Sequence, residues 1–147
     1  KQIHKSKPEA LVTTPITAAL KAFKKMNLRN IAVLTPYPKE VNLTVFNYLK
    51  QNNIKVDSFS SFNLNYDSEI AKVSLESLMN QIAKINLSNV DGLFVSCTAL
   101  KIVDILDKVE KEFGTNVVSS NQAMIWDCIK LLKIDSSIIG YGNLFKF

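Results

Sequence analysis

Residues Val90–Leu100 read Val-Asp-Gly-Leu-Phe-Val-Ser-Cys-Thr-Ala-Leu. An apolar run stops at Ser96, Cys97 follows, and a helix-like pattern begins. The spacing predicts a helix over Ala99–Phe113, with Gly114 as its C-cap. Cys97 is therefore expected where a buried strand gives way to a helix N-terminus. Free backbone N–H groups and the helix dipole favour a thiolate at such a position. The same N–H groups, those of Thr98, Ala99 and Leu100, can hold a carboxylate. The chemistry would be attack of sulfur on carbon, or proton exchange beside a carboxylate. A small buried hydrophobe is the other reading of a lone cysteine.

Other polar groups gather around the same region. Tyr37 stands between Pro36 and Pro38, so a stiff turn could fix its phenol over a cleft; an aromatic lid on the core is the alternative. Asp67 is either a site group or the N-cap of a helix starting at Ser68. Ser119, Ser120 and Asn121 face the same choice. Cys128 lies between Trp126 and Leu131 and is assigned to core packing. The single histidine, His4, sits in a charged N-terminal segment, so this chain holds no Cys-His pair, and a structural zinc site is not expected. Gly140-Tyr-Gly142 is too short for a dinucleotide-binding fingerprint.

The elements that must position these residues alternate. Asn30–Thr35, Ile54–Phe59, Gly92–Val95 and Asn116–Val118 read as short strands, with Ala10–Thr14 a further β-like run. Ile16–Met26, Glu40–Gln51, Ser68–Ile85, Ala99–Phe113 and a segment from Ser119 to about Leu132 read as helices. Asn63–Asp67 is a polar loop, and Ser136–Phe147 a mixed apolar tail. The strands are continuous apolar runs, the mark of a parallel sheet covered on both faces. The expected fold is α/β, a Rossmann-like or flavodoxin-like three-layer lobe with a four-stranded parallel sheet. Ligands in such sheets bind beyond the strand C-termini. There the loops Thr35–Pro38, Ser96–Leu100 and Ser119–Asn121 should meet.

The chain has 147 residues, 47% hydrophobic and 21% charged, which suits one domain with a real core. Its net charge of +5 is spread along the sequence without interleaved aromatics, so no nucleic-acid partner is expected. Nothing approaches the ~20 apolar residues of a membrane helix, and two separated cysteines suggest no disulfide framework. A cytoplasmic location and no membrane partner are expected.

Five stretches in register extend the reading. They are Val12-Thr-Thr-Pro15, Ile31-Ala-Val-Leu-Thr-Pro-Tyr37 with Val41-Asn42, Phe94-Val-Ser-Cys-Thr-Ala-Leu100, Val117-Val-Ser-Ser-Asn-Gln-Ala123 followed by Trp126, and Gly140-Tyr-Gly142. Together they resemble the maleate isomerase branch of the aspartate/glutamate racemase superfamily. That branch includes arylmalonate decarboxylases and racemase-like ectoine-utilisation proteins.

The resemblance implies two similar α/β lobes related by a pseudo-two-fold axis, each giving one cysteine to the cleft, with no cofactor and no metal. By position, Cys97 corresponds to the cysteine of the C-terminal lobe, Tyr37 to a carboxylate-binding tyrosine, and Thr98 and Ala99 to backbone donors. Asp67 falls where maleate isomerases carry Asn. An anionic Asp would repel a second carboxylate, which turns the expectation toward an amino-acid-like substrate. On this reading residues 1–29 are a crossover strand and helix from a largely missing N-terminal lobe, and 30–147 are the C-terminal lobe. The chain is then expected to be a fragment with little turnover alone. Its parent would be a cysteine-dependent, cofactor-independent racemase or isomerase of a small carboxylate or amino acid, and a homo-oligomer. Two other readings stay open: an arylmalonate-type decarboxylase, which needs one thiol, and a non-catalytic lobe that binds a carboxylate or self-associates.

Overall fold

The computed structural model describes residues 2–135 and 138–147. Its four strands are β1 (Asn30–Thr35), β2 (Lys55–Ser61), β3 (Gly92–Val95) and β4 (Asn116–Ser119). They form one parallel sheet in the order β2-β1-β3-β4. The helices are α1 (Gln2–Ser6), α2 (Pro15–Met26), α3 (Lys39–Gln51), α4 (Asp67–Ile70), α5 (Leu75–Ile82), α6 (Leu106–Phe113) and α7 (Ser120–Leu131). The α/β class and the four-stranded parallel sheet are as the sequence implies.

The period of two along each strand builds both cores. Ile31, Val33, Phe94 and Val118 point to one face, where Ala18, Ala19, Ala22 and Phe23 of α2 meet Ala123 and Trp126 of α7. Ala32, Leu34, Leu93, Val95 and Val117 point to the other, against Leu78, Ile82, Leu106 and Val109. Both faces are dry, so the central strands carry no polar alternation. The alanine stripe of α2 lets α7 approach closely. Phe23 meets Phe94 edge to face at 5.1 Å between centroids, an arrangement that adds to area burial.

Four sequence expectations are corrected. Ala10–Thr14 contains no strand. Thr14 instead caps α2, accepting from the Thr17 N–H at 3.3 Å, and the Thr13 hydroxyl donates to Asp127. The helix expected over Ser68–Ile85 is two short helices, because Ser74 caps a fresh start by accepting from the Ser77 N–H at 3.1 Å. The helix expected from Ala99 starts at Leu106, after a 3₁₀ turn at Val103–Ile105. Leu100 and Ile102, two apart, are both buried, a spacing that suits an extended path and not a helix face. Cys128, assigned to the core, is exposed. In the phase of α7 it is Trp126 and Asp127 that turn inward, and the Asp127 carboxylate is held by the Lys21 ammonium at 2.7 Å.

The C-terminal tail is tied down after Gly140, while Ser136 and Ser137, its first two residues, lie outside the described residues. Gln122 Nε2 donates to the Tyr141 carbonyl at 2.6 Å. The N–H groups of Gly142 and Asn143 donate to Asp107 and Glu110 at 2.7 and 2.8 Å. Gly140-Tyr-Gly142 is therefore a docking turn.

Candidate active site

Because all four strands run the same way, Thr35, Ser61, Val95 and Ser119 end at one edge of the sheet. The chain leaves β1 toward β2 on one side and returns to β3 on the other. Loops diverging from adjacent strands leave a crevice at that point. A cavity of about 440 Å³ opens there. Tyr37, Ser96, Cys97, Thr98 and Ser120 line it from the strand ends, and Ile16, Val41, Val45 and Tyr48 form an apolar wall from α2 and α3. The loops after β1, β3 and β4 thus converge as expected.

Cys97 is 6% exposed, and that residual exposure faces this cavity. Its Sγ accepts the Ala99 N–H at 3.3 Å. The helix that follows it in the chain, α6, begins nine residues later, so the donor here is a backbone turn. Thr98 is exposed at the rim. Its carbonyl accepts from Asn121 Nδ2 at 2.9 Å, which ties the thiol loop to the first turn of α7. Ser119 is the N-cap of α7, in a reciprocal capping box with Gln122. Of the three polar residues at this helix start, one caps, one lines the cavity and one holds the thiol loop.

Tyr37 faces Cys97. Its phenol is held well above the usual tyrosine range. Burial is the first cause; hydrogen bonding to the Cys97 side chain and the charges of Cys97 and Asp67 add to it. The phenol is therefore a neutral donor beside the sulfur. The Tyr37 backbone is held by side chains: Ser61 Oγ and Asn42 Nδ2 donate to its carbonyl at 2.6 and 2.8 Å. Asn42 and Ser61 were not singled out as site residues by the sequence reading. The signal for Ser61 is its register opposite Thr35, which only the folded sheet reveals.

Asp67 is exposed and is not among the residues lining the cavity. Nor is it the helix cap: Tyr66 occupies that position, and Glu69 accepts the N–H groups of Asn65 and Tyr66. Asp67 reaches the site only through its charge on Tyr37. Among the described residues, no group of three or more His, Cys, Asp or Glu could hold a metal ion. Among the same residues, no helix is long and apolar enough to cross a membrane.

Comparison with known proteins agrees with this fold. The chain is 28% identical over 136 residues to arylmalonate decarboxylase of Bordetella bronchiseptica, covering 90% of this chain and 57% of that protein. It is 23% identical over 139 residues to the maleate isomerase of Nocardia farcinica, covering 94% and 55%. The structure of that maleate cis-trans isomerase bound to TRIS superposes with a TM-score of 0.92 at 22% identity, over 98% of this chain and 59% of that one. A crystal structure of arylmalonate decarboxylase superposes at 0.82 with 28% identity, over 91% and 60%. The chain thus spans a little over half the length of the relatives it matches. The arylmalonate decarboxylase family matches residues 3–145, nearly the whole sequence, and this chain belongs to that family.

Proposed function

We propose that Cys97 is the reacting thiol of a cofactor-independent isomerase or racemase that acts on a small carboxylate. The observation that carries this is the shared cavity of Cys97 and Tyr37 at the switch point of the sheet. The Ala99 N–H stabilises developing charge on sulfur, and the neutral Tyr37 phenol donates to a carboxylate oxygen where charge builds.

In the isomerase form, the Cys97 thiolate adds to one carbon of a double bond conjugated to the carboxylate. The C–S bond forms as the π pair moves onto the carboxylate as an enediolate. Rotation about the new single bond follows, and expulsion of the thiolate restores the double bond in the other geometry. No net proton or electron is consumed. A cysteine-to-serine variant of the Nocardia farcinica maleate isomerase carries a covalently bound succinylcysteine intermediate; the adduct there sits on a cysteine other than the one replaced, which supports sulfur addition as a step of that enzyme. In the racemase form a second thiol must act on the opposite substrate face. Cys97 is the sole thiol lining the described cavity, so little racemisation is expected from this chain alone. The Asp67 charge would favour an amine or hydroxyl over a second carboxylate in the neighbouring subsite.

The family match favours a second reading, decarboxylation of a disubstituted malonate. There a C–CO₂ bond breaks to leave an enediolate, Cys97 gives its thiol proton to carbon, and water reprotonates the sulfur. Assays of the chain, and of any longer protein that carries it, with maleate, aspartate and a disubstituted malonate separate the two readings. Isomerised or racemised product that disappears in Cys97→Ser supports the first. Carbon dioxide release as the sole reaction selects the second. Turnover that survives Cys97→Ser removes both.

A further inference from the structure

We propose that Asn42 and Ser61 are positioning residues, which hold the Tyr37 phenol against Cys97 by clamping the Tyr37 backbone from two different elements. This deepens the functional reading above and rests on it for its catalytic meaning.

The clamp is a closed hydrogen-bond set. The Tyr37 carbonyl accepts from Ser61 Oγ, at the end of β2, and from Asn42 Nδ2, in the first turns of α3. The Tyr37 N–H donates to Thr35 Oγ1 at 3.3 Å, and the Thr35 hydroxyl donates in turn to Asn42 Oδ1 at 2.5 Å. The Asn63 N–H donates to Ser61 Oγ at 3.0 Å, which orients its hydroxyl toward Tyr37. Thr35 is fully buried at the sheet end, so the set is anchored in the rigid part of the molecule. Asn42 uses both halves of its amide, and Ser61 both its proton and a lone pair.

A Pro-Tyr-Pro turn has few backbone donors of its own to fix its path. Two short bonds to one carbonyl supply what the prolines cannot. They set where the tyrosine backbone sits, and with it the reach of the phenol to sulfur. The groups facing that phenol are Cys97 from the loop after β3, Asp67 from α4 and Tyr48 from α3 across the cavity.

The test is ultraviolet difference titration of the Tyr37 phenolate, with Tyr37→Phe subtracted to isolate its signal. The proteins are wild type, Asn42→Ala, Ser61→Ala, the double variant and Ser61→Thr. Released from the clamp, the phenol moves toward water and away from Cys97. Its titration should then fall by about one pH unit or more toward the ordinary value near 10. Ser61→Thr keeps the hydroxyl and should titrate as wild type. Circular dichroism reports folding, and if the double variant collapses, the two single variants decide.

Variants that melt earlier while Tyr37 titrates unchanged would show a purely structural role and overturn the proposal. The titration needs no turnover. A moved titration in a protein inactive on every carboxylate keeps the clamp and removes only the functional reading.

Discussion

Tyr37 and Cys97, from loops that leave adjacent strands in opposite directions, meet across one cavity, and the thiol helps keep the phenol protonated. The sheet order forces their loops apart at the base and together at the rim, which brings a phenol and a thiol into one crevice.

Replacing Tyr37 by Phe removes the neutral donor while leaving the ring. Loss of one such donor typically lowers turnover about 10²-fold. Turnover of the carboxylate substrate should fall by that order with the melting temperature little changed near neutral pH. The pH dependence of stability also has a sign. A phenol titrating higher in the folded than in the unfolded chain gives stability that is complete below about pH 10. That stability is lost as pH rises from there through the folded value. Urea titrations should show wild type losing stability above pH 10 faster than Tyr37→Phe. Parallel slopes would contradict the raised titration.

Replacing Cys97 by Ser should abolish covalent chemistry. Hydroxyl is a poor nucleophile without a base, and no histidine is near. Turnover should drop about 10³-fold or more, and the carboxylate should still bind, because the Tyr37 donor remains. Isothermal titration against a slow carboxylate analogue checks the second half of this expectation.

The strands around the site were legible because each is a short apolar run bounded by turn or polar residues, too short for a helix. Ile31–Leu34 within β1 and Gly92–Val95 in β3 are such runs and read as they stand. The thiol loop was misread because Leu100, Ile102 and Leu106 are all apolar, and a run of buried residues does not distinguish an extended path from a helix. Cys128 was misassigned for a related reason. Only the packing of α7 on α2 decides which of Trp126, Asp127 and Cys128 turns inward, and the Lys21 ammonium makes Asp127 acceptable there. The Tyr37 clamp joins residues 37, 42 and 61 across two elements, and no local pattern announces it.

The Lys21–Asp127 pair should behave as a buried charge with one wet partner. Asp127 is 4% exposed at its side chain and Lys21 42%. Lys21→Met leaves the carboxylate with only the Thr13 hydroxyl, which should cost about 2–4 kcal/mol in chemical denaturation. Removing both charges with Lys21→Met and Asp127→Leu should recover most of that loss. A double variant as unstable as the single one would show that α2 and α7 need the charge itself.

Gly142 should tolerate a methyl group far less well than Gly114. Both have positive φ, +88° and +62°, so either alanine is strained. At Gly114 the new Cβ meets open space, and a loss of about 1 kcal/mol is expected. At Gly142 the Cβ would lie 2.6 Å from Gln122 Nε2, the atom that donates to the Tyr141 carbonyl. Relief of that clash must push Gln122 aside. Gln122 also accepts the Ser119 N–H in the cap of α7, so the damage spreads from the tail to the helix start beside the cavity. Gly142→Ala should therefore cost about 2–3 kcal/mol or more and raise amide exchange at Ser119 and Asn143 together. If both substitutions cost the same and exchange at Ser119 stays slow, the tail is docked independently of the α7 cap.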